Sequence, residues 1–451
     1  MCNIKYNSKK TIVCVYGIIV LWVIGAHVTA FGGAKAEPPK PEIPEIVKLQ
    51  RRVSAAAKDR RAEEAYEKRD TEIAPWIEDA APPNPDNAAL LYYQAFLLRP
   101  EPNMTTSQKM EDVLRGAEPD RQTRIYLGHC LPMIQVAEMA SRIPQCTWGI
   151  RNGRGHGFDR LFLSPSVYHL ARILIVDARM LAAGGHYRAA LERCLTMRQL
   201  ARHLGEDSKL NLLARNPDLM ALITVQHVLS VMPPDEEILM WFRGQLAVVQ
   251  GLPLSFAEIL RAKSKSFFNL MRTNPGTLAL LRRVLVDKAE DEQAKESARN
   301  LTDEQILSRA REPFPRFIDS IVRILDSEMT YEQKRAQMQR LINKLEEGDG
   351  IDPVAKYAIL VPGIDSMIDR QYTFLVGHSA HINGVKAAVE VYLVIAKTGQ
   401  LPKTLPDGLP KDPFTGRDFV YEITDEGFAL RCQGEEFLKR QYQLLEFKVK
   451  K

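Results

Sequence analysis

The stretch from Ser164 to Met232 constrains this chain more than any other, because it carries the longest unbroken helical grammar. Ser164-Pro165 reads as an N-cap and first helical position, where the missing proline N–H would go unpaired in any case. Val167, Leu170, Leu174, Ala178 and Leu181 then recur at three- and four-residue steps, a single apolar stripe with Arg172 and Arg179 off it. Gly184-Gly185 ends this helix. A second begins at Tyr187, carries Ala190, Leu191, Cys194, Leu195, Leu200, Ala201 and Leu204 on its apolar face, and is expected to stop at a left-handed Gly205. Helices joined by so short a link lie antiparallel, stripe to stripe. A third helical stretch, Leu210 to Met232, contains Asn216-Pro217, where the ring is expected to kink or restart it, and Pro233-Pro234 closes the unit.

The chain opens with an export pattern. Residues 1–10 carry Lys5, Lys9 and Lys10 and no acid, and residues 11–26 are apolar and uncharged, a positive n-region followed by an h-region. Val28-Thr29-Ala30 and Ala34-Lys35-Ala36 both offer small residues at peptidase spacing. The apolar run, extended to Ala30, reaches about twenty residues, so residues 1–36 read as a cleaved signal peptide or a retained transmembrane anchor. Either way the body is exported, to the periplasm or to the outer face of the inner membrane. Four of the chain's five net positive charges are Lys5, Lys9, Lys10 and Lys35, leaving +1 for the body. Such balance gives no support to a nucleic-acid role, which needs a concentrated cationic face.

Residues 37–86 read as a proline-spaced linker (EPPKPEIPE) and a charged helix with a thin apolar face. An all-helical domain follows over 87–398, opened by Asn87 as cap of Ala88 to Leu98. A helix from about Leu131 to Arg142 would hold Cys130 and Cys146 roughly 18 Å apart, beyond the ~7 Å a disulfide allows, so no disulfide framework is indicated. The polar run Lys288 to Asn300 reads as a solvated helix extension or a mobile connection. Thr302 with Gln305 forms a capping box, and Arg316–Ser327, Tyr331–Glu346 and a long helix over Asp365–Lys397 complete the helical set. From Gly399 the pattern changes: Phe419, Tyr421 and Ile423, then Phe428, Leu430 and Cys432, alternate around a turn at Thr424 to Gly427, a β-hairpin to which Leu444–Val449 adds a candidate third strand. The expected fold class is mainly α, a helical hairpin array or irregular α-bundle, with a small C-terminal antiparallel hairpin or three-stranded sheet over 399–451.

Two clusters carry candidate chemistry. The loop Thr147 to Leu161 sets Arg151, Arg154 and His156 among Gly149, Gly153, Gly155 and Gly157, a composition able to form an anion-binding nest or simply a glycine-rich crossover. It is not a Walker loop, since Gly157-Phe158-Asp159 stands where Gly-Lys-Ser/Thr is required. His378 and His381 share one face of the long helix at three-residue spacing, a candidate metal pair or two hydrogen-bonded core histidines. The pair departs from H-E-x-x-H, and Asp369, about 13 Å along the axis, is too distant to complete it. No cofactor is indicated. With no G-x-S-x-G, Cys-x-x-Cys, H-E-x-x-H or dinucleotide loop, nothing in the chain favours an enzyme.

Two resemblances add expectations. Gly185 to Leu191 (GHYRAAL) resembles the G-x-Y-x-x-A-L phrase of a tetratricopeptide repeat, over one motif and with no second copy at a thirty-four-residue period. Leu401, Pro402, Leu405, Asp412, Pro413, Phe414, Gly416, Phe419 and Tyr421 follow a long apolar helix in an order that resembles the C-terminal part of type II secretion major pseudopilins. Similar tails occur on exported helical bacterial proteins, which this chain resembles over most of its length. The pseudopilin likeness covers about fifty residues and lacks that family's N-terminal peptidase site. It implies a structural cap, while Asp425 and Glu426, in a tight hairpin, do not reproduce a calcium ligand set. Taken together, the expectation is an envelope scaffold or interaction module with a protein partner, with the N-terminal segment contacting membrane if uncleaved. The alternatives are a metal-dependent hydrolase built on His378 and His381, and a secretion or pilus-assembly component.

Overall fold

The structure is a computed structural model that describes residues 59–60, 86–149, 156–207, 210–249, 255–261, 264, 275–289, 291–348, 351–360, 364–433 and 444–449. The expected export segment, nearly all of the linker region, Arg151 and Arg154 lie outside these residues. Within them the chain is mainly α-helical with one small sheet, and no helix is long and apolar enough to cross a membrane.

Helices α1 (Ala88–Leu97), α2 (Met104–Leu114) and α3 (Arg121–Ser141) are each started by a side-chain cap. Asn87, Asn103 and Asp120 accept hydrogen bonds from the exposed first-turn amides. The central hairpin follows as α4 (His156–Ala183) and α5 (Tyr187–Gly205). Its turn is set by the two glycines. Gly185 takes φ +84, His186 N donates to Leu181 O at 2.8 Å and Gly185 N to Ala182 O at 3.1 Å, the paired bonds of a Schellman ending. Next comes α6 (Asn211–Val231), and its packing on α4 and α5 makes a three-helix unit.

Several boundaries differ from those the sequence implies, for one common reason. Pro165 and Pro217 lie inside α4 and α6, and Pro132 inside α3. An interior proline removes one helical bond and costs about 3 kcal/mol. Buried neighbours on both sides, Leu163 and Val167, Ala214 and Ala221, Cys130 and Met133, keep each helix running through it. Hence α4 begins at His156 and not at Ser164, so His156 starts a helix where a loop is expected. Likewise Cys130 sits within α3 instead of preceding it. Gly205 is the last residue of α5 and is not left-handed; Glu206 is its C-cap in right-handed conformation. Cys130, Cys146, Cys194 and Cys432 are all unbridged.

The chain continues through α7 (Glu236–Val248), a helical piece at 256–261, α8 (Pro275–Asp287), α9 (Glu292–Arg299), α10 (Asp303–Ala310), α11 (Pro313–Leu325), α12 (Tyr331–Glu347) and α13 (Pro353–Leu360). The polar run, read as a solvated helix extension or a connection, contains α9, a mostly exposed helix capped by Asp291, with Ala298 buried in a core of Leu278, Leu281, Ile306 and Ala358. Capping boxes start both α10 (Thr302 with Gln305) and α12 (Thr330 with Gln333).

The long helix α14 (Ile364–Thr398) ties the parts together. Val385, Ala388, Val391 and Tyr392 pack in one core with Leu222 and Val225 of α6, Leu239 and Phe242 of α7, and the C-terminal sheet. That sheet is antiparallel in the order β1 (Val420–Thr424), β2 (Gly427–Arg431), β3 (Leu444–Lys448), with Tyr421 opposite Leu430 and Phe428 opposite Phe447. Phe428 and Phe447 stack at 5.1 Å beneath Tyr392, whose hydroxyl donates to Lys448 O. The D-P-F-x-G phrase is structural. Asp412 is fully buried and accepts from Phe414 N, Thr415 Oγ1 and Gln433 N, pinning the turn to the end of β2, while Gly416 takes φ +71.

Gly427 is where β3 comes closest. An added Cβ would overlap the Phe447 carbonyl and stand 2.9 Å from Val449 N, both backbone atoms that cannot rotate away. Gly427→Ala is therefore expected to destabilise the protein by about 1–3 kcal/mol in urea denaturation. Gly244→Ala on α7, which meets nothing within 4 Å, is expected to be neutral or slightly stabilising. Equal effects of the two would contradict the packing of β3 on β2.

Candidate functional site

Charged residues interrupt the apolar stripes of the central helices, and the fold brings four of them, Asp177, Arg193, Arg198 and Asp218, together in two pairs. Asp177 of α4, fully buried, faces Arg193 of α5 at 2.7 Å, and Glu138 of α3 also contacts Arg193. One turn further along α5, Arg198 donates from Nε to Asp218 Oδ1 of α6 at 2.9 Å. Asp218 Oδ2 is in turn 2.7 Å from His378 Nε2 of α14, a close contact poorly aligned for a linear hydrogen bond. Arg198, Asp218 and His378 are each no more than 3% exposed. Burial alone would raise the Asp218 pKa; the Arg198 guanidinium and the His378 contact reverse that and hold it below the ordinary carboxylate range.

The two histidines of the His-x-x-His pair have separate partners. His378 faces Asp218, whereas the His381 Nδ1 lies 3.2 Å from the Gly377 carbonyl of its own helix, and burial followed by the His378 charge lowers its pKa. Among the described residues no group of three His, Cys, Asp or Glu side chains is placed to hold a metal ion. Nothing is described of the His156 side chain. The sequence pairs His378 with His381 by spacing; its actual partner, Asp218, lies 160 positions earlier and has no local signal linking the two.

The residues that sequence reasoning passed over lie on the outer side of α5. Arg188, Glu192, Gln199 and Arg202, joined by Leu195 from the edge of the apolar face, recur at three- and four-residue steps and form one wall of a groove of roughly 500 Å³. Ser141 and Arg142 at the end of α3 and Trp241 and Gln245 of α7 form the others. Its size falls in the range of about 300–1,000 Å³ common for ligand sites. The Arg188 guanidinium lies 4.9 Å above the Trp241 ring, a contact worth about 0.5–1 kcal/mol when exposed. Arg188 also approaches Glu192 at 3.6 Å and Arg202 approaches Glu206 at 3.5 Å.

Behind the groove, Gln199 meets His203 Nε2 at 2.9 Å, and the other ring nitrogen lies 3.2 Å from the Tyr92 hydroxyl, with Tyr92 stacked on Trp148. Burial, then Arg202, pushes the His203 pKa down to about 4. The imidazole is thus a neutral bridge between groove wall and core. The signal available in the sequence was the polar periodicity of α5 itself, a second stripe opposite the apolar one. No protein family, curated protein or solved structure matches the chain.

Proposed function

We propose that this chain is an exported helical scaffold whose groove between α3, α5 and α7 receives an acidic segment of a protein partner in the cell envelope. The observation that carries the reading is the composition of the groove. Three arginines, Arg142, Arg188 and Arg202, line it together with Trp241. The acids of the lining, Glu138 and Glu192, are already engaged, Glu138 with the buried Arg193 and Glu192 with Arg188, and Glu206, outside the lining, stands beside Arg202; the last two are long, partly exposed ion pairs. Such pairs contribute only about 0–1 kcal/mol, so an incoming carboxylate can replace them at little cost. A tryptophan with an arginine over its face is the residue combination in which binding energy concentrates. The export reading rests on Lys5, Lys9 and Lys10 ahead of the uncharged run 11–26.

The test is co-purification of the full chain from its native envelope, quantified for wild type, Trp241→Ala and the pair Arg188→Glu/Arg202→Glu. Trp241→Ala is expected to cost about 2 kcal/mol, roughly thirtyfold in affinity, and the charge reversal at least as much. A partner retained at wild-type strength by both variants would refute the proposal.

A further inference from the structure

Arg215 of α6 is the least compensated charge in the described core. It is 1% exposed, and among the described residues its one hydrogen bond runs from Nη1 to Gln371 Oε1 at 3.2 Å, a neutral acceptor. Nε and Nη2, which point the same way along the side edge of the guanidinium, have no partner. The nearest carboxylate along α6, Asp218, three residues on, is committed to Arg198 and His378. Arg215 is therefore left without a carboxylate partner among the described residues. A buried guanidinium left with neutral surroundings is strongly disfavoured, and burial alone pulls the Arg215 pKa down to about 10. The free edge is the geometry that receives two oxygens of one oxyanion in parallel N–H···O bonds.

We propose that Arg215, through Nε and Nη2, binds a small oxyanion of the carboxylate or phosphate class where α6 packs against α14. The site is separate from the groove and independent of the reading given to it. The anion completes the charge balance of the helix junction, so its binding is linked to folding.

The experiment is thermal unfolding of the full chain, first dialysed into chloride buffer, against rising inorganic phosphate and, separately, acetate, at ionic strength held constant with sodium chloride. The expected result is a saturable rise in Tm with one of the two oxyanions, absent in Arg215→Met, which keeps the side-chain volume and removes the charge. Arg215→Lys, which keeps the charge and removes the fork, is expected to bind at least tenfold more weakly. Arg283→Met, a change on the exposed face of α8, should leave the response intact. No saturable rise in the wild type, or the same rise in Arg215→Met or Arg215→Lys, overturns the proposal. If Arg215→Met does not fold, the wild-type titration and the lysine variant still decide it.

Discussion

Replacing Asp218 by alanine is expected to lower the free energy of unfolding by about 3–5 kcal/mol, the largest loss for any single substitution in the described core. The side chain is 2% exposed and, among the described residues, is the one carboxylate that both Arg198 and His378 contact. Removing it leaves a guanidinium in an apolar junction with no counter-charge, and that uncompensated desolvation sets the magnitude. The double variant Asp218→Ala/Arg198→Met is expected to recover most of the loss, because a well-packed neutral pair in place of a buried ion pair is often close to neutral. Urea denaturation of the four members of this cycle measures the coupling directly. A loss below about 1 kcal/mol for Asp218→Ala would show that the cluster contributes little to holding α5, α6 and α14 together.

The second large effect is acid sensitivity centred on His203. Its folded pKa is held near 4 by burial and by Arg202, while an unfolded histidine titrates near 6.5. Between these values the unfolded chain binds a proton that the folded chain does not. Stability is therefore full above about pH 6.5 and falls as pH drops toward 4. For this group, fully buried, the loss is on the order of 3 kcal/mol. His169, beside the Tyr126 hydroxyl, acts in the same direction, its pKa also pushed to about 4 by burial and then by Arg99 and Arg172. Below the ordinary carboxylate range Asp218 adds a further loss as it protonates. Unfolding free energies measured at pH 7.5, 5.5 and 4.5 should decline in the wild type and decline less in His203→Gln. A flat profile, or one unchanged by the substitution, would contradict the neutral, buried state of this ring.

How much of this was legible beforehand follows from how local each signal is. The stripes of α4 and α5 and the alternation around Asp425-Glu426 are local patterns, and the helices and the hairpin stand where they imply. The long helix was expected over Asp365–Lys397 and runs Ile364–Thr398. Boundaries at Ser164 and Leu131 were misplaced because proline acts locally while the packing that overrides it, through Val167 and Met133, is tertiary, and at Pro217 the helix is not restarted. The role of His378 could not be read from its neighbours, since its partner is on another helix. Asp177, however, interrupts the run RILIVDARML, and a carboxylate on an apolar helix face implies a buried cation somewhere. Arg193, sixteen residues on, is that cation. The groove was missed because attention to the apolar face of α5 leaves its polar face looking like ordinary solvated surface. Only the approach of α3 and α7 turns it into a wall.

The claim that the groove takes an acidic segment of a partner is tested most directly by a photo-crosslinking side chain at Gln245, introduced into the full chain in its native cells. The account predicts one discrete adduct, mapping by mass spectrometry to an acid-rich stretch of another envelope protein and suppressed by Arg188→Glu. No adduct from Gln245, alongside a discrete one from the exposed Leu280 of α8, would place recognition on another surface and contradict it.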